Sequence, residues 1–448
     1  MTVRRSAAAL ATTAVLLGAA APVAVAAPSP SPSAEVPPGL YGTTDPTYDG
    51  VWRQSLAFLA QKIEYVTPST QAVDWLVGQQ CGSGAFTSYR DAAKPCDAST
   101  VMDTNATAAA VQALVEIEQH REAADNGADW LKSVQNEDGG WGYNPGSPSD
   151  ANSTGVVIGA LARTGVPVNE LTTADGSTPY TALQALGIPC GEKDGGAFAY
   201  QPGKKSDDGN KDEKADEDSK DSKKDSKSDK DDKGDDKAGL VANLDSSAAA
   251  VLGLLGKGMA IGDANAVKDP VCTKGEDLSP EQSAQNGAWF LAATLEKTPY
   301  LEQAPMPGAE DSAPQPDFGN TADAVVALAA AGHKDKAAAS VRWLEKNSRT
   351  WAKQGGPAAS AQLVLAAHAT GTDARNFGGV DLVKQLNATG PAPAATASPS
   401  PTPTGAQPTS GTSSDDGGLS LGWLIGIGVL VGTGIGLLIS MRRKKQQP

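Results

Sequence analysis

Four stretches of this chain lie over one another without a gap, and that repetition restricts the fold more than any single residue does. They run from Asp103 to Leu114, Asp150 to Leu161, Asn243 to Leu254 and Asp317 to Leu328. Each opens on Asp or Asn, skips one residue to Asn, Asp or Gly, skips another to Ser or Thr, and after six more residues reaches Leu. A short polar side chain at the head accepts a hydrogen bond from the first turn, and the Ala, Val and Leu behind it show no charged stripe. Each stretch therefore reads as a capped helix buried on most sides. Weaker copies run from Asp49 to Ala60 and from Pro357 to Ala369.

Between these lie amphipathic segments with one charged face: Thr70 to Gln80, Gly127 to Gln135, Thr178 to Leu186, Glu281 to Leu295, Lys336 to Lys346 and Gly379 to Asn387. Buried helices alternating with half-exposed ones predict an inner ring inside an outer ring. The expected class is all-α, an α6/α6 toroid over residues 48–389, with an open solenoid of helical hairpins as the alternative.

Both ends of the chain carry export signals. Arg4 and Arg5, an apolar run to Gly18 and Ala24-Val25-Ala26 predict a signal peptide over residues 1–26, followed by an extended leader at 27–47. Leu419 to Met441 holds no charged residue and as a helix covers ~33 Å, enough for one span. Arg442-Arg443-Lys444-Lys445 follows it, so residues 442–448 are expected in the cytoplasm and the toroid outside the cell. The Pro/Thr/Ser-rich residues 390–418 read as a stalk, and the Lys/Asp/Glu/Ser-rich residues 204–238 as a disordered insertion in the toroid.

A net charge of -15 argues against nucleic acid as a partner. Four cysteines in an exported chain suit disulfides, and three pairings are open; Cys81 with Cys96 and Cys190 with Cys272 are favoured, the first closing a Gly-rich loop and the second flanking the insertion. There is no Cys-x-x-Cys, and His120, His333 and His368 read as surface or helix-end residues, so no metal and no cofactor is expected.

Gln135-Asn136-Glu137-Asp138-Gly139-Gly140-Trp141 matches the Q-x3-G-x-W motif of the squalene cyclase and prenyltransferase toroids. Gln80 to Gly84 and Phe86 form a variant, and Glu192 to Phe198 a more distant copy. The chain thus resembles the terpenoid cyclase and protein prenyltransferase fold over roughly Tyr48 to Asn387. In that motif the Gln amide is expected to satisfy backbone groups at the end of an outer helix, with the aromatic ring stacked on it. The chain departs from the family where its chemistry resides: the D-x-D-D-T-A acid motif of class II cyclases is replaced by Asp103-Thr104-Asn105-Ala106-Thr107-Ala108. Cys190-Gly191-Glu192-Lys193 differs from the thioester motif C-G-E-Q in its last residue. The inner-helix starts are also similar to the α-domain of the cobalamin carriers, which implies a cobalamin-like ligand.

These readings point to a non-catalytic cell-surface protein that binds a ligand or an interaction partner. The candidate rim is Asp103, Asn105, Asp150, Asn152, Asn243, Asp245, Asp317 and Asn320 at the inner-helix N-termini, each also a natural helix-capping residue type. The alternatives are a divergent cyclase- or prenyltransferase-like enzyme, an extracellular lyase or hydrolase on a similar toroid with Asp103 and Asp150 or Asp245 as paired carboxylates, and a structural subunit of a membrane complex.

Overall fold

Helices make up nearly all the regular structure in the computed structural model, which describes residues 36–202, 239–262, 264–303 and 314–395. In chain order they are α1 (Gly50–Ile63), α2 (Thr70–Gly78), α3 (Thr104–Glu116), α4 (Arg121–Ser133), α5 (Ala151–Thr164), α6 (Pro179–Ala185) and α7 (Leu244–Leu254). There follow α8 (Pro280–Lys297), α9 (Phe318–Ala330), α10 (Ala338–Asn347), α11 (Arg349–Gln354), α12 (Gly356–Thr370) and α13 (Leu382–Asn387). Two short antiparallel pairs, Phe198–Ala199 with Ala242–Asn243 and Leu301–Glu302 with Pro316–Asp317, lead into α7 and α9.

The order of packing settles between ring and solenoid. Helix α1 packs on α3, α3 on α5, α5 on α7, α7 on α9, α9 on α12, and α12 back on α1. Six helices therefore close on themselves. Each is followed by an outer helix that packs on it, α2, α4, α6, α8, α10 and α13 in turn; α4, α6, α8, α10 and α13 also reach the next inner helix round the ring, and α11 bridges α10 and α12. The inner helices follow the repeat residue for residue. Asp103, Asp150, Asn243 and Asp317 each accept, through the side chain, the backbone N–H three residues on, at 2.8, 2.8, 2.9 and 2.9 Å. Their bodies are buried almost throughout, Ala108 to Leu114 and Val157 to Leu161 among them, which is why alanine dominates: backbones this close leave little room for a larger side chain.

A second element of the repeat joins each inner helix to the loop before it. The hydroxyl four residues after the cap accepts a backbone N–H from that loop: Thr107 from Phe86 at 2.9 Å, Thr154 from Trp141 at 3.0 Å, Ser247 from Phe198 at 2.9 Å, and Thr321 from Leu301 at 2.9 Å. All four hydroxyl residues are buried. Thr154→Val leaves the Trp141 N–H without a partner in a dry site, so equilibrium denaturation is expected to show a loss of about 2 kcal/mol.

The Q-x3-G-x-W residues are at the outer-helix ends, but with roles exchanged relative to the sequence expectation. The Gln135 amide donates to the Gly139 carbonyl at 2.8 Å, closing its own loop. The Leu131 carbonyl in the last turn of α4, which takes only a long 3.4 Å bond from the Val134 N–H, is met instead by the Trp141 indole N–H at 2.8 Å, with the ring buried. Gln80 does reach across, donating to Gly84 O at 2.9 Å and to Ala123 O of α4 at 2.8 Å. The glycines of the motif are set by two constraints at once. Gly84 and Gly139 have φ of +93° and +88°, and a Cβ would stand 2.3 Å from Asn126 O and 2.5 Å from Thr178 O respectively.

The two disulfides are Cys81–Cys96 and Cys190–Cys272, as favoured from the sequence. Cys190 is thereby committed to a structural bond. Removing the first with Cys81→Ser and Cys96→Ser reopens a loop of 15 residues, and a thermal melt of the full chain should report a loss of about 3 kcal/mol.

The toroid's boundaries need correction at both ends. The leader expected at 27–47 is not free from residue 36 onward: Leu40 and Tyr41 are buried, the Tyr41 N–H donates to Gln54 Oε1 at 2.9 Å, and its ring meets Phe58 edge-on at 6.2 Å. The Gly42 N–H reaches Thr389 O at 2.8 Å, so this strap joins the first inner helix to the last hairpin. The stalk expected from 390 begins later, because Gly390 abuts the Tyr41 ring and the Ala394 N–H donates to Thr67 O at 3.0 Å. The reason is the same for both segments, since isolated apolar residues in Pro- and Gly-rich stretches carry no periodicity from which to read burial. The signal peptide (1–26), the charged insertion (204–238), the remainder of the stalk, the membrane span (419–441) and the basic tail lie outside the described residues. No described helix is long and apolar enough to cross a membrane.

Candidate functional site

The same face of each inner helix looks into the centre of the ring, at two, five or six, and nine residues after the cap. In α3 these are Asn105 and Gln112; in α5, Asn152, Gly155 and Val156; in α7, Asp245, Ala248, Ala249 and Leu252; in α9, Asp323 and Val326. Helix α1 adds Trp52 and Leu56, and α12 adds Gln362 and Leu365. These side chains enclose a bore of about 260 Å³. Lys257, Gly258 and Met259, on the loop after α7, complete its lining. Gln112 holds that loop: its amide donates to Val156 O at 3.1 Å while its Oε1 accepts the Met259 N–H at 2.9 Å.

The candidate rim divides into two groups. Asp103, Asp150, Asn243 and Asp317 are helix caps, and Asn320 is held to one of them, its amide on Asp317 Oδ2 at 2.9 Å. The Asp103 and Asp150 carboxylates are buried away from the bore, and serine hydroxyls donate to them, Ser88 to Asp103 Oδ2 at 2.7 Å and Ser153 to Asp150 Oδ2 at 2.8 Å. Asn105, Asn152 and Asp245 line the bore. The carboxylate pairing expected for an enzyme, Asp103 with Asp150 or Asp245, is therefore corrected: Asp245 is instead coupled to Asp323, a residue the sequence reading passed over.

Burial governs both acids. It pushes the Asp323 carboxyl up to about 8, assisted by the negative charge of Asp245 and, less, of Asp317, and opposed by a hydrogen bond from Gln362 Nε2 at 3.0 Å. Asp323 keeps a little surface because it faces the bore, and protein encloses it on its other sides. Asp245 is raised by the same desolvation and by Asp317 and Asp150, against a short hydrogen bond from the Asn152 amide. The bore thus holds a neutral carboxyl at neutral pH, on α9 and not at the cyclase acid position in α3, where Asn105 stands. Asn152 turns its amide nitrogen to Asp245, and its Oδ1 and that of Asn105 are buried with no hydrogen-bond partner.

The histidines stand apart from this site. His333 stands just past the end of α9, a helix-end residue but not a surface one, and is buried against Gln285 Oε1 at 2.6 Å; burial pulls its pKa down. His120 precedes α4, and His368 is in the last turn of α12, 3.7 Å from Glu64. Among the described residues no group of three His, Cys, Asp or Glu side chains is placed to hold a metal.

Residues 98–187, from just before α3 through α6, match the family model of the squalene-hopene cyclase C-terminal domain. That segment contains the complete Q-x3-G-x-W motif and supports a toroid of the terpenoid cyclase and prenyltransferase kind. A search of the curated proteins found no match. A solved structure of a protein from Actinoplanes aligns at 14% identity and a TM-score of 0.29, covering 71% of this chain and 100% of that one, a likeness too low to carry an argument.

Proposed function

We propose that this protein is a non-catalytic binding protein of the cell surface, carried by a membrane helix at Leu419 to Met441, that admits a small molecule into the bore of its toroid. The observation that supports it is the lining: all six inner helices contribute, setting Asn105, Asn152, Asp245, Asp323 and Gln362 among Leu56, Val156, Leu252, Val326 and Leu365. A mostly apolar cavity with a few convergent polar groups is the usual form of a small-molecule site. At about 260 Å³ the bore suits a compact ligand and is too small for a corrin, so the cobalamin-like ligand suggested by the carrier resemblance is replaced by a smaller one.

The neutral Asp323 carboxyl favours a second reading, a divergent cyclase that protonates its substrate. The magnitude decides against it. An acid at about 8 is weaker than ordinary aspartic acid by about four powers of ten, whereas an unactivated double bond calls for a stronger acid. Asp323 suits hydrogen bonding and proton exchange with a basic group. Native mass spectrometry of the full chain, released from its own host's membrane in detergent, is expected to show a retained small molecule. Bare protein in every preparation would sink the binding reading, and turnover of prenyl diphosphates or linear terpenoids that Asp323→Asn abolishes would replace it with the enzymatic one.

A further inference from the structure

We infer that the bore is built for a small organic cation, whose ammonium or guanidinium head lies between Asp245 and Asp323 beside the amide oxygens of Asn105 and Asn152, and whose apolar body lies along Leu252, Val326, Met259 and Leu365. The inference rests on the binding reading and specifies its ligand. The donor and acceptor inventory carries it. The bore presents two carboxyl groups, each with one oxygen occupied by a neighbouring amide, Asn152 on Asp245 and Gln362 on Asp323. Beside them, the Oδ1 atoms of Asn105 and Asn152 are buried and receive no hydrogen bond. Buried acceptors without donors are costly, and an ammonium brings three donors and no acceptor. A neutral alcohol brings one donor, and an anion none.

The charges around the pair favour the same ligand. Asp323 feels Asp245, both feel Asp317, at the head of α9, and Asp245 also feels Asp150, at the head of α5; all are acids. From the facing helices, α3 adds Asn105 and Gln112, α5 adds Asn152 and α12 adds Gln362, none of them charged; α1 adds Trp52 and Leu56. The charges that act on the two carboxyls among the described residues thus come from inner-helix starts, and none from the outer helices α8 and α10. Among the described residues the base lining the bore is Lys257, which sits on the loop after α7 and is exposed. A cation is the missing partner of this acidic group.

Binding exchanges one charge for another. The organic cation enters, the Asp323 carboxyl releases its proton to solvent, and the resulting carboxylate pairs with the bound head group. Calorimetric titration of the full chain with n-hexylammonium, n-hexanol and hexanoate at pH 7, in two buffers of different ionisation enthalpy, tests this. Hexylammonium is expected to bind at least about tenfold more tightly than hexanol, with hexanoate weaker still, and to release close to one proton per site, the release declining above pH 8. Asp323→Asn should reduce hexylammonium affinity about tenfold and abolish the proton release while leaving hexanol unchanged. Asp245→Asn, which keeps the Asp323 proton, should weaken hexylammonium with some release retained. Hexanol binding as well as hexylammonium, or no proton release at pH 7, overturns the cation assignment and leaves the small-molecule reading intact. Failure of every compound to bind overturns both.

Discussion

Asp323→Asn is expected to stabilise the folded protein by roughly 4 kcal/mol at pH 7, an upper figure set by how far its carboxyl is displaced. In the unfolded chain this carboxyl titrates near 3.8, and in the toroid near 8. Between those values the unfolded state has lost the proton that the folded state still holds. Stability therefore falls as pH rises through that window, is fully present below it, and is flat above pH 8 as far as this group is concerned. Asparagine is neutral throughout and of the same shape, and its carbonyl can still accept the Gln362 amide. The variant should lack this component of the decline between pH 4 and pH 8. Thermal melts across that range are the measurement, with a gain on the order of 6 °C expected at pH 7. Parallel melting curves for wild type and variant at every pH would contradict the buried-acid assignment. A residue whose replacement stabilises the fold is one retained for some other purpose, which agrees with a place in a binding site.

Gly139→Ala acts in the opposite direction and about as strongly, with an expected loss of about 4 kcal/mol and a visibly lower melting temperature. Two effects combine there. Alanine resists φ of +88°, and its methyl would stand 2.5 Å from the Thr178 carbonyl, which is backbone and cannot swing aside. Gly146 separates the two: it has φ of +77° but open space where a Cβ would go, so Gly146→Ala should cost only about 1 kcal/mol. Equal losses at both positions would mean that the approach to Thr178 is unimportant and that the motif glycine is chosen for its turn alone.

The ring itself was readable from the sequence because its information is repeated. A cap, a hydroxyl four residues later and a leucine eleven residues after the cap recur in four copies, and each feature corresponds to a bond or a buried contact. The bore was harder to read. An inner helix touches neighbours on nearly every side, so its sequence is apolar all round and periodicity does not say which stripe faces the centre. Asn105, Asn152 and Asp245 were found only because they occur at matching places in the repeat. Asp323 was missed because it has no counterpart: Ala109, Val156 and Ala249 hold the same place in the other copies. A charge standing alone in an otherwise apolar inner helix was the available signal. Tyr143 and Tyr200, each two residues beyond the aromatic of its motif and each held above its ordinary pKa by burial and by a nearby cap carboxylate, form a second spacing.

Because α12 returns to α1 and the Tyr41 hydroxyl reaches Pro391 O at 3.4 Å across 350 positions of chain, the ring formed by the described residues has no terminal hairpin that can fray by itself. A stack of hairpins can mature while the ribosome is still adding to it, each unit settling on the one before. A closed circle must wait for its final segment, and until then the sides of α1 and α12 that will meet remain wet and adhesive. Birth of the native state should accordingly be late and all at once, with the nascent chain dependent on whatever shields those two surfaces in the interval.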